Sequence, residues 1–422
     1  MKIVLITNNL LPAPMENGSS QYLWSLVTSL TNTDNDIHLI SYNFHEERWL
    51  NLLKCHNKAG LEDKFSHFGI SLHLIPVHNN SKDKINKFAM IKKVFFPNYS
   101  DFYDGFFYTT FVNQELGKLK PDMVISYTTD SIASVMGLGN KLSFKFVGIV
   151  VDMDHLVWFY RRRISNFNKP FFKKLNIGKW LAEYQLSRVS TELIMKCDKV
   201  ICSANHHTNW LVKHRVKNVK YFPVTILDHK HVGWLDQRSR SFETSVPVIS
   251  LIGKVNGIAT LEGLYQLKNF LPELIQLHNE TNLELHIIGG GDLPKSLMVD
   301  FSQYGWIRRV GYLEYLDQAF LDSNAILVPT SIPLGFRTRI SEAFSFGCCV
   351  IAHKSNALGM PELIHNRNIL LYENSLQFLK CLRLSIYDKD KNLFLGEQAR
   401  ITYENYYDGK KVSDKIIEYC LE

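Results

Sequence analysis

Pro329-Thr330-Ser331-Ile332-Pro333-Leu334-Gly335-Phe336-Arg337-Thr338-Arg339-Ile340-Ser341-Glu342-Ala343-Phe344-Ser345-Phe346-Gly347 is the stretch on which the fold turns. Ahead of it, Ala325-Ile326-Leu327-Val328 reads as a short buried strand, and behind it Cys349-Val350-Ile351-Ala352 reads as another. Between them lies a Pro/Gly loop, then a helix starting near Arg339, with Gly347 as its C-cap. Strand, loop, helix and strand in this order make a βαβ unit of a parallel sheet. Loop amides and a helix N-terminus offer a positive end to an anion. Glu342, on the expected first turn, can accept two hydroxyl hydrogen bonds, as from a ribose, or can simply complement the helix dipole.

The same rhythm runs outward in both directions. Toward the N-terminus, the apolar runs Lys2–Thr7, Ile37–Tyr42, Met123–Tyr127, Phe146–Val151 and Lys199–Ser203 alternate with helical patterns such as Tyr22, Leu23, Leu26, Val27 and Leu30. Strands this apolar, without alternation, are buried on both faces, as in doubly wound sheets. The polar, aperiodic stretch 228–245 interrupts the rhythm and reads as a linker. Val248–Gly253, a helix over Leu261–Leu277, and Leu283–Gly289 then restart it. The expected fold class is α/β, with two Rossmann-like doubly wound parallel-sheet domains facing a cleft. The expected domains are 1–230 and 246–400, with the terminal helix at about 400–422 packing back on the first. Ligands are expected at the carboxyl ends of the strands.

Composition narrows the class. The chain has 422 residues, 45% hydrophobic and 21% charged, which excludes a disordered tail protein. Seven scattered cysteines without a C-x-x-C pair argue against a disulfide scaffold and against a zinc site. No apolar run is long enough for a secretory h-region or a bilayer span, so a cytoplasmic protein is expected. The net charge of +7 is uneven: residues 1–150 carry +1, 151–240 carry +10 and 241–422 carry −4. Lysines 82, 84, 87, 92 and 93 interleave with Phe88, Phe95, Phe96, Phe102, Phe106, Phe107 and Tyr108; Arg161-Arg162-Arg163 and Pro170–Lys174 repeat the mixture. Such segments suit an anionic membrane surface, giving peripheral attachment at its inner face, or else core aromatics with solvated lysines. No nucleic-acid motif accompanies them.

Several linked motifs resemble the retaining nucleotide-sugar glycosyltransferases of the two-domain GT-B fold, of the glycosyltransferase family 4 type. They are Gly335-Phe336 with Glu342, Ala343 and Gly347; Cys348–Ala352; Gly359-Met360-Pro361-Glu362-Leu363; Gly253-Lys254; Ile287–Gly291; and Cys197–Ser203. The family carries Glu, seven residues, Glu, with Gly-Phe-Gly after the first. Here Leu334 replaces the first Glu and Arg337 replaces the second Gly. The resemblance implies a nucleoside-diphosphate sugar donor, with Glu342 on the ribose and Lys254 on the diphosphate. The family's second basic residue has no equivalent in Val255–Ile258, and Arg337 or Arg339 is the expected substitute. Gly18 matches the glycine that lets backbone approach the donor phosphates.

Asp152, Asp154 and His155 follow the Phe146–Val151 strand. An Asp-x-Asp suits a divalent metal, but the second-half motifs argue against one. The expected role is that one of the three orients or deprotonates the acceptor hydroxyl, a helix N-cap being the plainer alternative. Gly289-Gly290-Gly291 lacks dinucleotide spacing and reads as a turn. The expected activity is sugar transfer to a lipid-linked or saccharide acceptor in surface polysaccharide or glycolipid synthesis, without cofactor or metal. The rivals are a degenerate sugar-nucleotide-binding protein and a nucleotide-sugar epimerase of the same fold.

Overall fold

The computed structural model describes residues 1–14, 18–32, 34–77, 99–136, 143–165, 177–228, 233–242 and 246–422. The chain divides into two compact units: one holds 1–159, 168–222 and 412–422, the other 160–167 and 223–411.

The first unit is built on seven strands: β1 (Lys2–Asn8), β2 (Asp36–Phe44), β3 (Ile70–Pro76), β4 (Met123–Tyr127), β5 (Lys145–Val150), β6 (Lys199–Cys202) and β7 (Val219–Tyr221). Their order is β3-β2-β1-β4-β5-β6-β7 and every pairing is parallel. Ile3–Ile6 of β1 and Met123–Tyr127 of β4 are buried throughout, as continuous apolar runs covered on both faces must be. The order reverses between β1 and β4, so the carboxyl ends of these two strands flank the place where open sheets receive ligands.

The second unit has six parallel strands: β8 (Val248–Ile252), β9 (Glu284–Ile288), β10 (Ile307–Gly311), β11 (Ala325–Val328), β12 (Val350–His353) and β13 (Leu370–Tyr372). Their order is β10-β9-β8-β11-β12-β13, with the reversal between β8 and β11. Two parallel α/β sheets of this kind are the fold class read from the sequence.

The stretch 228–245, expected as a linker, instead carries a helix, Trp234–Ser241, within the second unit. Its Arg238 is fully buried. The guanidinium donates to the Phe320 and Ser323 carbonyls (3.2 Å each) and to Asn392 Oδ1 (3.2 Å). Trp234 lies so close to Gly347 that a Cβ there would come within 2.2 Å of the ring. The polar composition of the helix hid this, because a single buried arginine leaves no periodic signature. Residues 412–422 at the C-terminus group with the first unit, where Lys199 Nζ donates to the Tyr419 carbonyl at 2.5 Å. Among the described residues no helix is long and apolar enough to cross a membrane. Lysines 82–93, Phe88, Phe95, Phe96 and the segment 170–174 lie outside the described residues.

Candidate functional site

The loop that leaves β11 is pinned from below. The Glu262 carboxylate accepts from the Ser331 amide (2.8 Å), the Ser331 hydroxyl (2.5 Å) and Gln266 Nε2 (2.9 Å). Thr330 Oγ1 donates to the Ala259 carbonyl at 2.7 Å. Both acceptors stand on the helix Ile258–Asn269, which follows β8. The Arg337 guanidinium closes the loop on itself, donating to the Ile332 carbonyl (2.7 Å), Asn356 Oδ1 (2.9 Å) and the Leu334 carbonyl. Arg337 is buried and committed to backbone, so it braces the loop rather than presenting a free phosphate-binding fork. Gly335 takes φ 63°, the left-handed value that the turn requires. Leu334 and Phe336 are buried, and the Phe336 ring packs edge-on against Tyr407.

The loop opens into the helix Thr338–Ser345, whose N-cap has no side-chain hydrogen bond. Its first amides are therefore available to an anion. Glu342 lies on the second turn rather than the first, which weakens its role as a dipole complement. Its carboxylate makes no hydrogen bond among the described residues. Burial pushes it up to about 7, against the pull of Arg339 and with a further push from Asp317. Burial likewise lowers Arg339, opposed by Glu342.

Across the sheet reversal, Gly253 directly follows β8, with φ 142°. A Cβ on it would lie 2.1 Å from the Arg339 guanidinium. Gly289 (φ 137°) is packed as tightly, since its Cβ would meet the Gly253 carbonyl oxygen at 2.1 Å. A Cβ on Gly291 (φ 96°) would meet the Asn256 side chain at 2.9 Å. Arg309 anchors this turn from behind, donating to the Gly289 (2.6 Å) and Gly291 (2.8 Å) carbonyls. The Gly290 and Gly291 amides donate to nothing among the described residues. Gly289-Gly290-Gly291 is therefore more than a turn: it forms one wall of a backbone-lined cradle with Gly253, Arg339 and Glu342. Lys254 is exposed beside it with no ion pair among the described residues. The site thus gathers Gly253, Lys254, Arg339 and Glu342, while Gly335, Phe336 and Arg337 belong to the braced loop ahead of the helix. Reading the sequence missed Glu262, Arg309 and the three glycines; glycines directly after an apolar run were the available signal.

In the first unit, Gly18 begins the helix Gly18–Thr31 beyond β1. Asp154 begins the helix Asp154–Ser165, and its Oδ2 accepts from Tyr103 OH at 2.8 Å. Burial pushes the Asp154 carboxyl up to about 6; the Tyr103 and Thr129 hydroxyls hold it down, and the Asp130 and Asp152 carboxylates push it further up. Burial, aided by His214, pushes His155 down to about 4, so it is neutral near pH 7 and a weak base. Its ring stands 5.1 Å from that of Trp210. Behind Asp154, Asp130 accepts from Asn8 Nδ2 (2.6 Å), Tyr42 OH (2.5 Å) and the Gly105 amide (3.1 Å). This network was not foreseen, although Thr128-Thr129-Asp130 after an apolar run is the residue pattern of a helix start.

Residues 247–384 match the family model described as Glycosyl transferases group 1. Sucrose-phosphate synthase from Thermosynechococcus elongatus superposes with a TM-score of 0.67 at 13% identity, over 99% of this chain and 97% of that one. HepE of Anabaena, solved in complex with UDP and glucose, gives 0.65 at 13% identity over 99% and 98%. TarM of S. aureus, solved with fondaparinux, α-GlcNAc-glycerol and UDP, gives 0.65 at 12% identity over 100% of both chains. No curated protein matches in sequence. Likeness at these identities is one of fold. Two parallel-sheet units and these neighbours make this a chain of the GT-B fold, and a segment of its second unit matches the glycosyl transferases group 1 model.

Proposed function

We propose that this protein is a glycosyltransferase that moves a sugar from a nucleoside-diphosphate donor to a hydroxyl acceptor. The observation that carries this reading is the cradle at the β8/β11 reversal, where tightly packed glycines, an uncapped helix N-terminus, Arg339 and Glu342 converge. Its open amides and Lys254 suit a diphosphate, and the unbonded Glu342 carboxylate suits the paired hydroxyls of a ribose. The charge of a leaving nucleoside diphosphate is met by Lys254, Arg339 and the helix N-terminus, so the reading assigns no metal.

On the acceptor side Asp154 is the base assigned, with Asp152 and His155 orienting; a carboxyl near pH 6 is better matched to proton transfer than an imidazole near 4. Retention of anomeric configuration is proposed by front-side attack, because Leu334 is buried and supplies no nucleophile. The acceptor proposed is a lipid-linked or saccharide precursor of a surface polysaccharide or glycolipid. An exposed aromatic beside arginines supports membrane attachment: Trp158 is 48% exposed just before Arg161–Arg163. Flotation with anionic and neutral liposomes tests this; binding equal to zero on both ends the membrane part.

The decisive experiment is a thermal-shift panel of UDP, GDP, ADP, CMP and dTDP on wild type and Glu342→Gln. A ligand at 100 times its dissociation constant stabilises by about 2.7 kcal/mol. One nucleotide shifting wild type and hardly the variant is expected. No shift with any of the five overturns the donor reading; binding without turnover of any nucleotide sugar leaves a non-catalytic binder.

A further inference from the structure

The end of β4 holds an unusual residue. Thr128 has φ 77° and ψ 159°, a conformation that glycine adopts freely and a β-branched residue almost never does. The backbone is locked there. The Thr128 amide donates to the Ile149 carbonyl at 2.9 Å, and its carbonyl accepts from the Ile132 amide at 3.2 Å. Glycine would satisfy both bonds without strain, so the side chain is retained against a conformational cost. That side chain is only partly buried, and its hydroxyl has no hydrogen bond among the described residues.

Its position gives the side chain a use. β4 flanks the reversal of strand order in the first sheet, and Thr128 is the first residue past its carboxyl end. The next two residues serve the acidic cluster: the Thr129 hydroxyl acts on Asp154, and Asp130 is held by Asn8, Tyr42 and Gly105. The strained turn thus commits two neighbours to positioning carboxylates while leaving one hydroxyl unclaimed beside them.

We propose that Thr128 is a substrate-contacting residue of the first unit, whose hydroxyl hydrogen-bonds the acceptor hydroxyl held at Asp154. This rests on the glycosyltransfer reading and adds a residue to it. Strained positions cluster at functional sites when the surroundings over-determine them, and here two backbone bonds do so.

The test uses the full chain with UDP-, GDP-, ADP- and dTDP-glucose as donors, and water, glycerol and octyl β-D-glucoside as acceptors. Thr128→Gly is expected to raise Tm by about 2 °C or more through relief of strain. Thr128→Gly and Thr128→Ala are both expected to lower kcat about tenfold on every acceptor the wild type uses, water included, as loss of one hydrogen bond predicts. Donor KM stays within about twofold, and Thr128→Ser, which keeps the hydroxyl, restores kcat. Unchanged kcat in Thr128→Ala, a donor KM that rises with the loss, or a Thr128→Gly variant no more stable than wild type each overturn the inference. If wild type turns over no donor, the glycosyltransfer reading falls and takes this role with it; if wild type is active, only the inference is at stake.

Discussion

The Arg339 guanidinium fills the space that a side chain on Gly253 would need, 2.1 Å from where its Cβ would stand. The glycine that follows β8 and the arginine in the first turn of the helix after β11 are thus one packed unit across the sheet reversal. Arg339 is held over a backbone that can itself face a phosphate.

Gly253→Ala therefore strikes twice, by the steric conflict and by φ 142°, which disfavours any side chain. A loss of about 2–4 kcal/mol is expected from urea denaturation. The nucleotide-induced thermal shift is expected to vanish even where the variant remains folded.

Glu342 makes stability pH-dependent. Its carboxyl is raised from the ordinary 4.5 to about 7, so between those values the folded protein holds a proton that the unfolded chain releases. Stability should fall as pH rises through that window, by about 3 kcal/mol, and level off above it. Glu342→Gln should flatten this slope in a Tm-against-pH series. Ribose hydroxyls favour the ionised carboxylate, so nucleotide affinity should rise from pH 6 to 8 in wild type and stay level in Glu342→Gln.

Tyr103→Phe removes a hydroxyl that lowers the Asp154 carboxyl. The acidic limb of the kcat/KM profile, expected near pH 6 in wild type, should move to higher pH. A limb that stays in place would mean Asp154 is not the group titrating.

Arg238 donates to buried acceptors from three segments: the Phe320, Ser323 and Asn324 carbonyls, Cys348 Sγ and Asn392 Oδ1. Arg238→Ala leaves those acceptors without donors, and a destabilisation of about 3–5 kcal/mol is expected by urea denaturation. Arg238→Lys should recover only part of it, since an ammonium cannot reach all of them at once.

The two parallel α/β sheets are legible in the sequence, because apolar runs such as Ile3–Ile6 and Ala325–Val328 are long enough and uniform enough to be buried on both faces. Chain order and strand polarity alone also put Gly253, Lys254 and Gly335 at strand ends and Glu342 on the helix that follows. Which polar groups face which is set by packing between distant segments. Arg337 and Arg339 are two residues apart and chemically identical, yet one is tied to loop carbonyls and the other lies on Gly253. A buried Arg238 in a polar helix, three glycines tightened by Arg309, and Thr128 in a glycine conformation follow from contacts between segments distant in the chain. Burial periodicity is local and survives in the sequence. Hydrogen-bond partners and backbone strain are set by packing, which brings together residues the chain keeps apart.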